Sequence, residues 1–205
     1  MLSAGTRLLA AARPAAKPLH PSGRVLAAQL HRVASRASTG LGFLDGPEVE
    51  SVLVRESRAI GLPRPLPDIH GLALRVTNAD GSHGDVLLAT TGWGRLTRFV
   101  LTASLTPYGR PMTTLLPYRS ALGPLLLGAR GDDRTRSVDL YYAVGAGPWQ
   151  PFAELRISED GPADAAVSFD PVAHPVPGLE QYAAVDRLRE PAYRTARRTR
   201  DRDRD

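Results

Sequence analysis

The chain has 205 residues and no cysteine, which suits one globular domain with tails and excludes a disulfide framework, a thiol nucleophile and Cys-ligated metal centres. Its 19 Gly and 18 Pro are many for a helical bundle, and no apolar run approaches the ~20 residues of a membrane-spanning helix. The net charge of +5 gathers at the ends: residues 1–44 carry six basic side chains and no acid, residues 186–205 carry eight Arg against five acids, and the body between is acidic on balance.

In chain order, residues 1–19 read as an Ala/Leu/Arg helix broken at Pro14, a basic surface helix or arm without the apolar core of a secretory leader. From Gly23 the period changes to two. Arg24–Val33 is expected as a strand with Val25, Ala27, Gln29, His31 and Val33 on one face. Residues 35–47 read as a Ser- and Gly-bearing loop. Ser51–Ser57 is a strong strand by alternation and β-branched content, with Arg55 and Ser57 on one face and Val54 and Glu56 on the other. Pro63, Pro65 and Pro67 make an extended connection. Ile69–Thr77 and Asp85–Thr91 then pair across a turn at Asn78-Ala79-Asp80-Gly81.

Further strands are expected at Thr97–Thr102, Gly123–Gly128, Ser137–Val144 and Phe152–Ser158, with turns at Gly131-Asp132, Gly145–Pro148 and Asp160-Gly161-Pro162. From Pro177 the pattern turns helical, with Gly178–Asp186 as a connection and Arg187–Arg204 as an Arg-rich helix or tail. So many consecutive strands favour an antiparallel barrel or a strongly curved sheet. The expected organisation is an N-terminal basic arm (1–16), a β domain (17–176) and a C-terminal Arg-rich helical segment (177–205).

Three stretches carry chemistry-bearing side chains. Lys17-Pro18-Leu19-His20-Pro21-Ser22-Gly23 holds a histidine between two prolines at the mouth of a strand, stiff enough for general acid/base work or simply a surface histidine. Arg55 and Ser57 put a cation and a hydroxyl on one strand face, where they could meet an anionic ligand or water. Arg189 and Arg197 flank Tyr193 on the last helix, and nearby cations favour the phenolate, a competent ligand for ferric haem. The same stretch also reads as a solvated basic tail.

Together and in this order these residues resemble the haem catalase family. His20-x-x-Gly23, Val54-Arg55-x-Ser57, Asp68-x-x-Gly71-Leu72-Ala73-Leu74-Arg75-Val76 and the Asp85-led strand are similar to the start of the catalase barrel. Phe169-Asp170-Pro171, Gly178-Leu179-Glu180 and Arg189-x-x-x-Tyr193 look like the segment that presents the proximal tyrosine. The resemblance implies a mainly β (α+β) fold, a catalase-like antiparallel β-barrel with terminal helices packed across it.

It also implies haem b as cofactor and peroxide as the small-molecule partner. His20 would be the distal histidine and Ser57 the hydroxyl that orients it. Lys17 and Arg55 would bind haem propionates. Tyr193 would ligate the iron, and Arg189 would keep it anionic. The sequence departs from the family at Leu88-Ala89-Thr90-Thr91-Gly92, where catalases carry an Asn, and at Glu56, where they carry an aromatic.

The chain also looks like short actinobacterial proteins commonly labelled phosphodiesterase, through Leu62–Asp68 and Thr113–Arg119. Its five histidines (20, 31, 70, 83 and 174) are scattered, without the clustering a two-metal phosphoesterase needs. Of 26 basic residues 25 are arginine. That bias reflects a GC-rich genome as readily as a nucleic-acid partner, and with an acidic body nucleic acid is not an expected partner. A cytoplasmic haem peroxidase, a barrel that binds haem or another small ligand without turnover, and phosphodiester hydrolysis are the readings carried forward. Oligomerisation stays open.

Overall fold

Alternation decides the architecture. In each long strand one set of alternate residues is apolar and buried, so each strand has one face that water disfavours and the strands must curl around it. The structure, a computed structural model, describes residues 22–33, 38–63, 65–158 and 167–182. The expected arm at 1–16 and the helical segment beyond 182 lie outside the described residues, as do His20, Lys17, Arg189 and Tyr193.

Nine antiparallel strands follow in chain order: β1 (Ser22–Arg32), β2 (Val49–Arg58), β3 (His70–Thr77), β4 (His83–Thr90), β5 (Met112–Thr113), β6 (Tyr118–Ser120), β7 (Gly123–Asp132), β8 (Ser137–Val144) and β9 (Gln150–Ile157). The sheet order is β5-β4-β3-β2-β1-β9-β8-β7-β6, and an added β5–β7 pairing closes it into an eight-stranded barrel with β6 on its rim. Among the described residues helix is confined to α1 (Gly42–Asp45) and one 3₁₀ turn (Thr97–Phe99). No described helix is long and apolar enough to cross a membrane.

The interior is filled by Leu26, Leu30, Val54, Leu72, Leu74, Val86, Leu125 and Leu155, all essentially without solvent contact. Each such side chain contributes roughly 1.5–3 kcal/mol on burial. The β3–β4 turn forms where expected. Asn78 N–H donates to Ser82 O (2.8 Å), and Gly81 takes φ +80°, a conformation that costs a glycine nothing.

Three expectations fail for local reasons. The segment Thr97–Thr102 is not a strand; it is the 3₁₀ turn plus a single bridge between Thr91 and Leu101. Side chain–backbone bonds win there. Thr97 Oγ1 accepts from Gly94 N–H (3.0 Å), and Arg98 turns inward to donate to Gly94 O (3.2 Å) and Gly147 O (3.2 Å). The chain does not turn at Gly131-Asp132, because β7 runs through both and the Tyr108 ring packs on the bare face of Gly131. Within the expected loop 35–47, α1 forms under Asp45, whose carboxylate collects Ser38, Thr39 and Gly40. Strands β5 and β6 were not expected; two and three residues are too short to show a period.

Candidate functional site

Register determines which side chains meet on the outer wall. Gly23, Ser57, Gly71 and Ala89 lie opposite one another across β1–β4, and Val25, Arg55, Ala73 and Leu87 form the next row. Below them run Ala27, Leu53, Arg75 and Asp85. The first row has almost no side chain, so the upper part of this wall is flat, and the second row is apolar except for Arg55.

Arg55 lies across the bare backbone of Gly23. A Cβ at position 23 would fall 2.5 Å from its Nε and 2.6 Å from its Cζ, so only glycine admits this placement. The Arg55 guanidinium therefore rests against the wall at Gly23, and a side chain at 23 would displace it. Ser57 sits on the same face, and its hydroxyl donates to Gly71 O (3.4 Å). Of the six site residues expected from sequence, Arg55 and Ser57 are described and share one face as expected.

Glu56 points the opposite way, into the barrel. Its Oε1 accepts from the Tyr108 hydroxyl (2.6 Å) and from Arg136 Nη2 (3.3 Å). An acid on the apolar face is satisfied here by two partners that reach it from distant connections.

The lower row forms a clamp. Arg75 donates from Nε to Asp85 Oδ1 (2.7 Å) and from Nη2 to Asp85 Oδ2 (2.6 Å), a two-pronged pair with the carboxylate wholly buried. The clamp holds the segment 167–182 against the barrel. Arg75 Nη2 also donates to Ser168 O (2.6 Å) and its guanidinium covers the Phe169 ring at 5.1 Å, while Asp170 N–H donates to Asp85 Oδ2 (2.7 Å). His174 Nδ1 lies 3.2 Å from the same oxygen. Beyond it Val176 and Leu179 enter the core, and Glu180 pairs with Arg119 beside β6.

In the sequence Arg75 and Asp85 stand out as strand residues and as part of the catalase-like pattern, with no mutual pairing assigned to them. Counting outward from the Asn78–Ser82 turn would have paired them. Between this segment and β9 lies a groove of about 680 Å³, floored by Ala27 and Leu53 and edged by Arg75, Arg156 and Val167. It continues the flat wall downward.

The remaining histidines do not converge. His70 is buried, with Nε2 3.2 Å from Ser104 O; burial is the larger influence and holds its pKa below the ordinary value. His31 contacts Gln29, and His83 is exposed. Among the described residues no three His, Asp or Glu are grouped to hold a metal ion.

The barrel is similar to two solved structures. A bacterial catalase superposes with TM-score 0.54 at 13% identity, covering 90% of this chain and 59% of that one. A fungal catalase superposes with TM-score 0.57 at 11% identity, covering 87% and 58%. The fold is thus catalase-like, and the chain spans under two thirds of the length of either catalase. Neither structure is a phosphodiesterase, and that likeness finds no support in the described residues. No protein-family model matches the sequence, and no curated protein matches it.

Proposed function

We propose that this catalase-like barrel binds haem on the outer wall of β1–β4 and has weak peroxidase activity. The observation that carries the reading is Arg55 laid over Gly23 at the edge of a flat, small-residue face. A planar macrocycle bearing two carboxylates needs an apolar wall without protruding side chains and a fixed cation at its rim, and these residues fit that demand. Lys17 would join Arg55 at the propionates. Tyr193 would supply the axial phenolate, held ionised by Arg189. His20 would move the peroxide proton, oriented by the Ser57 hydroxyl. When bound, the iron porphyrin supplies two-electron redox chemistry with peroxide. The reading keeps the cytoplasmic location expected from the sequence.

One observation favours a second reading, binding without turnover. At the end of β4, where catalases carry an Asn, the Thr90 hydroxyl is buried and donates to Thr102 O (2.6 Å). The Thr91 hydroxyl donates to Gly92 O (2.9 Å), and Ala89 is the residue that takes the outer face. Among the described residues, no Asn stands at this end of β4 to hold peroxide.

Reconstitution of the full chain with haem tests both readings. A Soret band is expected that is lost in Tyr193→Phe. Affinity should fall roughly tenfold in Arg55→Ala and in Gly23→Val, the weight of one charge-assisted contact. Peroxide-dependent dye oxidation that vanishes in His20→Ala supports the peroxidase, and a band without dye oxidation supports the silent binder. A wild-type chain with no Soret band ends both.

A further inference from the structure

The upper rows of the outer wall serve the haem reading. The groove below them, beside the Arg75–Asp85 clamp, is a different surface. Its floor follows from alternation. Ala27 and Leu53 face outward, stand opposite each other across β1 and β2, and are partly exposed. Neither projects far, so the floor is low, flat and apolar. One row further the outward positions turn polar, with Gln29 opposite Ser51 on one side and Arg156 on the other. The volume of about 680 Å³ is that of a site for a small molecule of two or three rings.

This polar row has hydrogen-bonding capacity that the protein does not use. Gln29 Oε1 lies 3.3 Å from His31 Nε2, and the amide nitrogen of Gln29 has no partner among the described residues. Nor has the Ser51 hydroxyl. Both residues are exposed within the groove.

Charge sets the first limit on what fits. Arg75 is taken by Asp85, and Arg156 donates to Glu154 Oε2 from Nε (3.0 Å) and Nη2 (2.8 Å). No acid is among the described residues that line the groove, and His83 is the one other titratable group there. An anion would have to compete with carboxylates already in place, and a cation would meet no counter-ion. A neutral ligand with one flat apolar face and one hydroxylated edge suits both the floor and the row.

Spacing sets the second limit. Facing residues of neighbouring strands stand about 4.5–5.5 Å apart, and two meta hydroxyls on an aromatic ring hold their oxygens about 4.8 Å apart. Ortho oxygens are about 2.8 Å apart, too close to address both strands, and para hydroxyls point in opposite directions.

We propose that the groove binds a neutral, flat aromatic of two or three rings carrying two meta hydroxyls. The rings lie over Ala27 and Leu53, and the hydroxyls meet Gln29 and Ser51. The inference is independent of haem.

Two isomers test it, naphthalene-1,3-diol and naphthalene-2,3-diol, which share their rings and composition and differ in hydroxyl spacing. Titrated calorimetrically into the full chain without added haem, the 1,3-diol should bind roughly tenfold tighter. Ser51→Ala and Gln29→Ala should each bring the 1,3-diol down to the level of the 2,3-diol. Leu53→Asp, and separately Ala27→Asp, should abolish binding of both. Circular dichroism verifies that each variant is folded.

Four results would each overturn the proposal. Neither diol may bind at millimolar concentration. The two may bind equally, which would remove the role of spacing. Both floor variants may bind as the wild type does, which would place the diols elsewhere. Naphthalene-2-carboxylate may bind more tightly than the 1,3-diol, which would mean that Arg75 or Arg156 is free to take an anion.

Discussion

Two buried ionisable groups show how single residues are accommodated here. Tyr108 keeps its proton because burial, and then the Glu56 carboxylate it donates to, push its pKa well above the ordinary phenol range. It remains a donor, and Glu56 remains tolerable among leucines and valines. His70 is held neutral by burial, with its pKa below the ordinary 6.5. Its unfolded form takes up a proton before the folded form does, so the stability this residue contributes is present above pH 6.5 and declines as pH falls through the folded value. The melting temperature should therefore drop below pH 6.5, and the drop should be smaller in His70→Gln. An identical pH profile in that variant would assign the loss to other groups. That Arg55 and Ser57 share one face and Glu56 takes the other is legible from alternation alone. The partners of Glu56 were not, since they stand 52 and 80 residues away.

Among the elements, β7 is the most instructive. Leu125, Leu126 and Leu127 are all buried although their faces alternate, so the outer wall there is covered too. The cover is aromatic. Trp93 and Trp149 stack at 4.3 Å, Tyr141 meets Trp93 edge-on at 5.3 Å, and Arg98 and Arg130 close the stack over Trp149 and Trp93. The rings lie on the missing side chain of Gly128, where a Cβ would fall 2.9 Å from both indoles. Gly128→Ala should destabilise the protein by about 1–3 kcal/mol through overpacking. Both tryptophans of the chain are in this stack, so the same change should alter its fluorescence and near-ultraviolet dichroism. Unaltered spectra would refute this account of the glycine. A strand at Gly123–Gly128 is legible in the sequence; the burial of both its faces is not. Which aromatics cover it is hidden in the sequence, because Trp93 arrives on the connection that follows β4 and Trp149 on the one that follows β8.

For the whole molecule the decisive event is closure. Ten residue pairs join β1 to β2, whereas β5 makes two with β4 and two with β7. Threonine hydroxyls reinforce this seam, with Thr113 donating to Arg98 O (2.7 Å) and Thr91 Oγ1 lying 3.2 Å from Thr113 Oγ1. Native-state hydrogen exchange should find the amides of Met112 and Thr113 opening at lower free energy than those of β1–β3. Uniform protection around the barrel would show that the seam is no weaker than the rest. The sequence by itself determined that the chain is mostly β, roughly where most of the long strands run, and which residues of a strand share a face, since period-two alternation is a local property written residue by residue. Only the tertiary structure decided that the sheet closes through two residues, that Gly23 lies under Arg55, and that Arg75 and Asp85 clamp the returning C-terminal segment. Each of these is a meeting of residues far apart in the chain, and such meetings follow from packing the whole rather than from the pattern of any part.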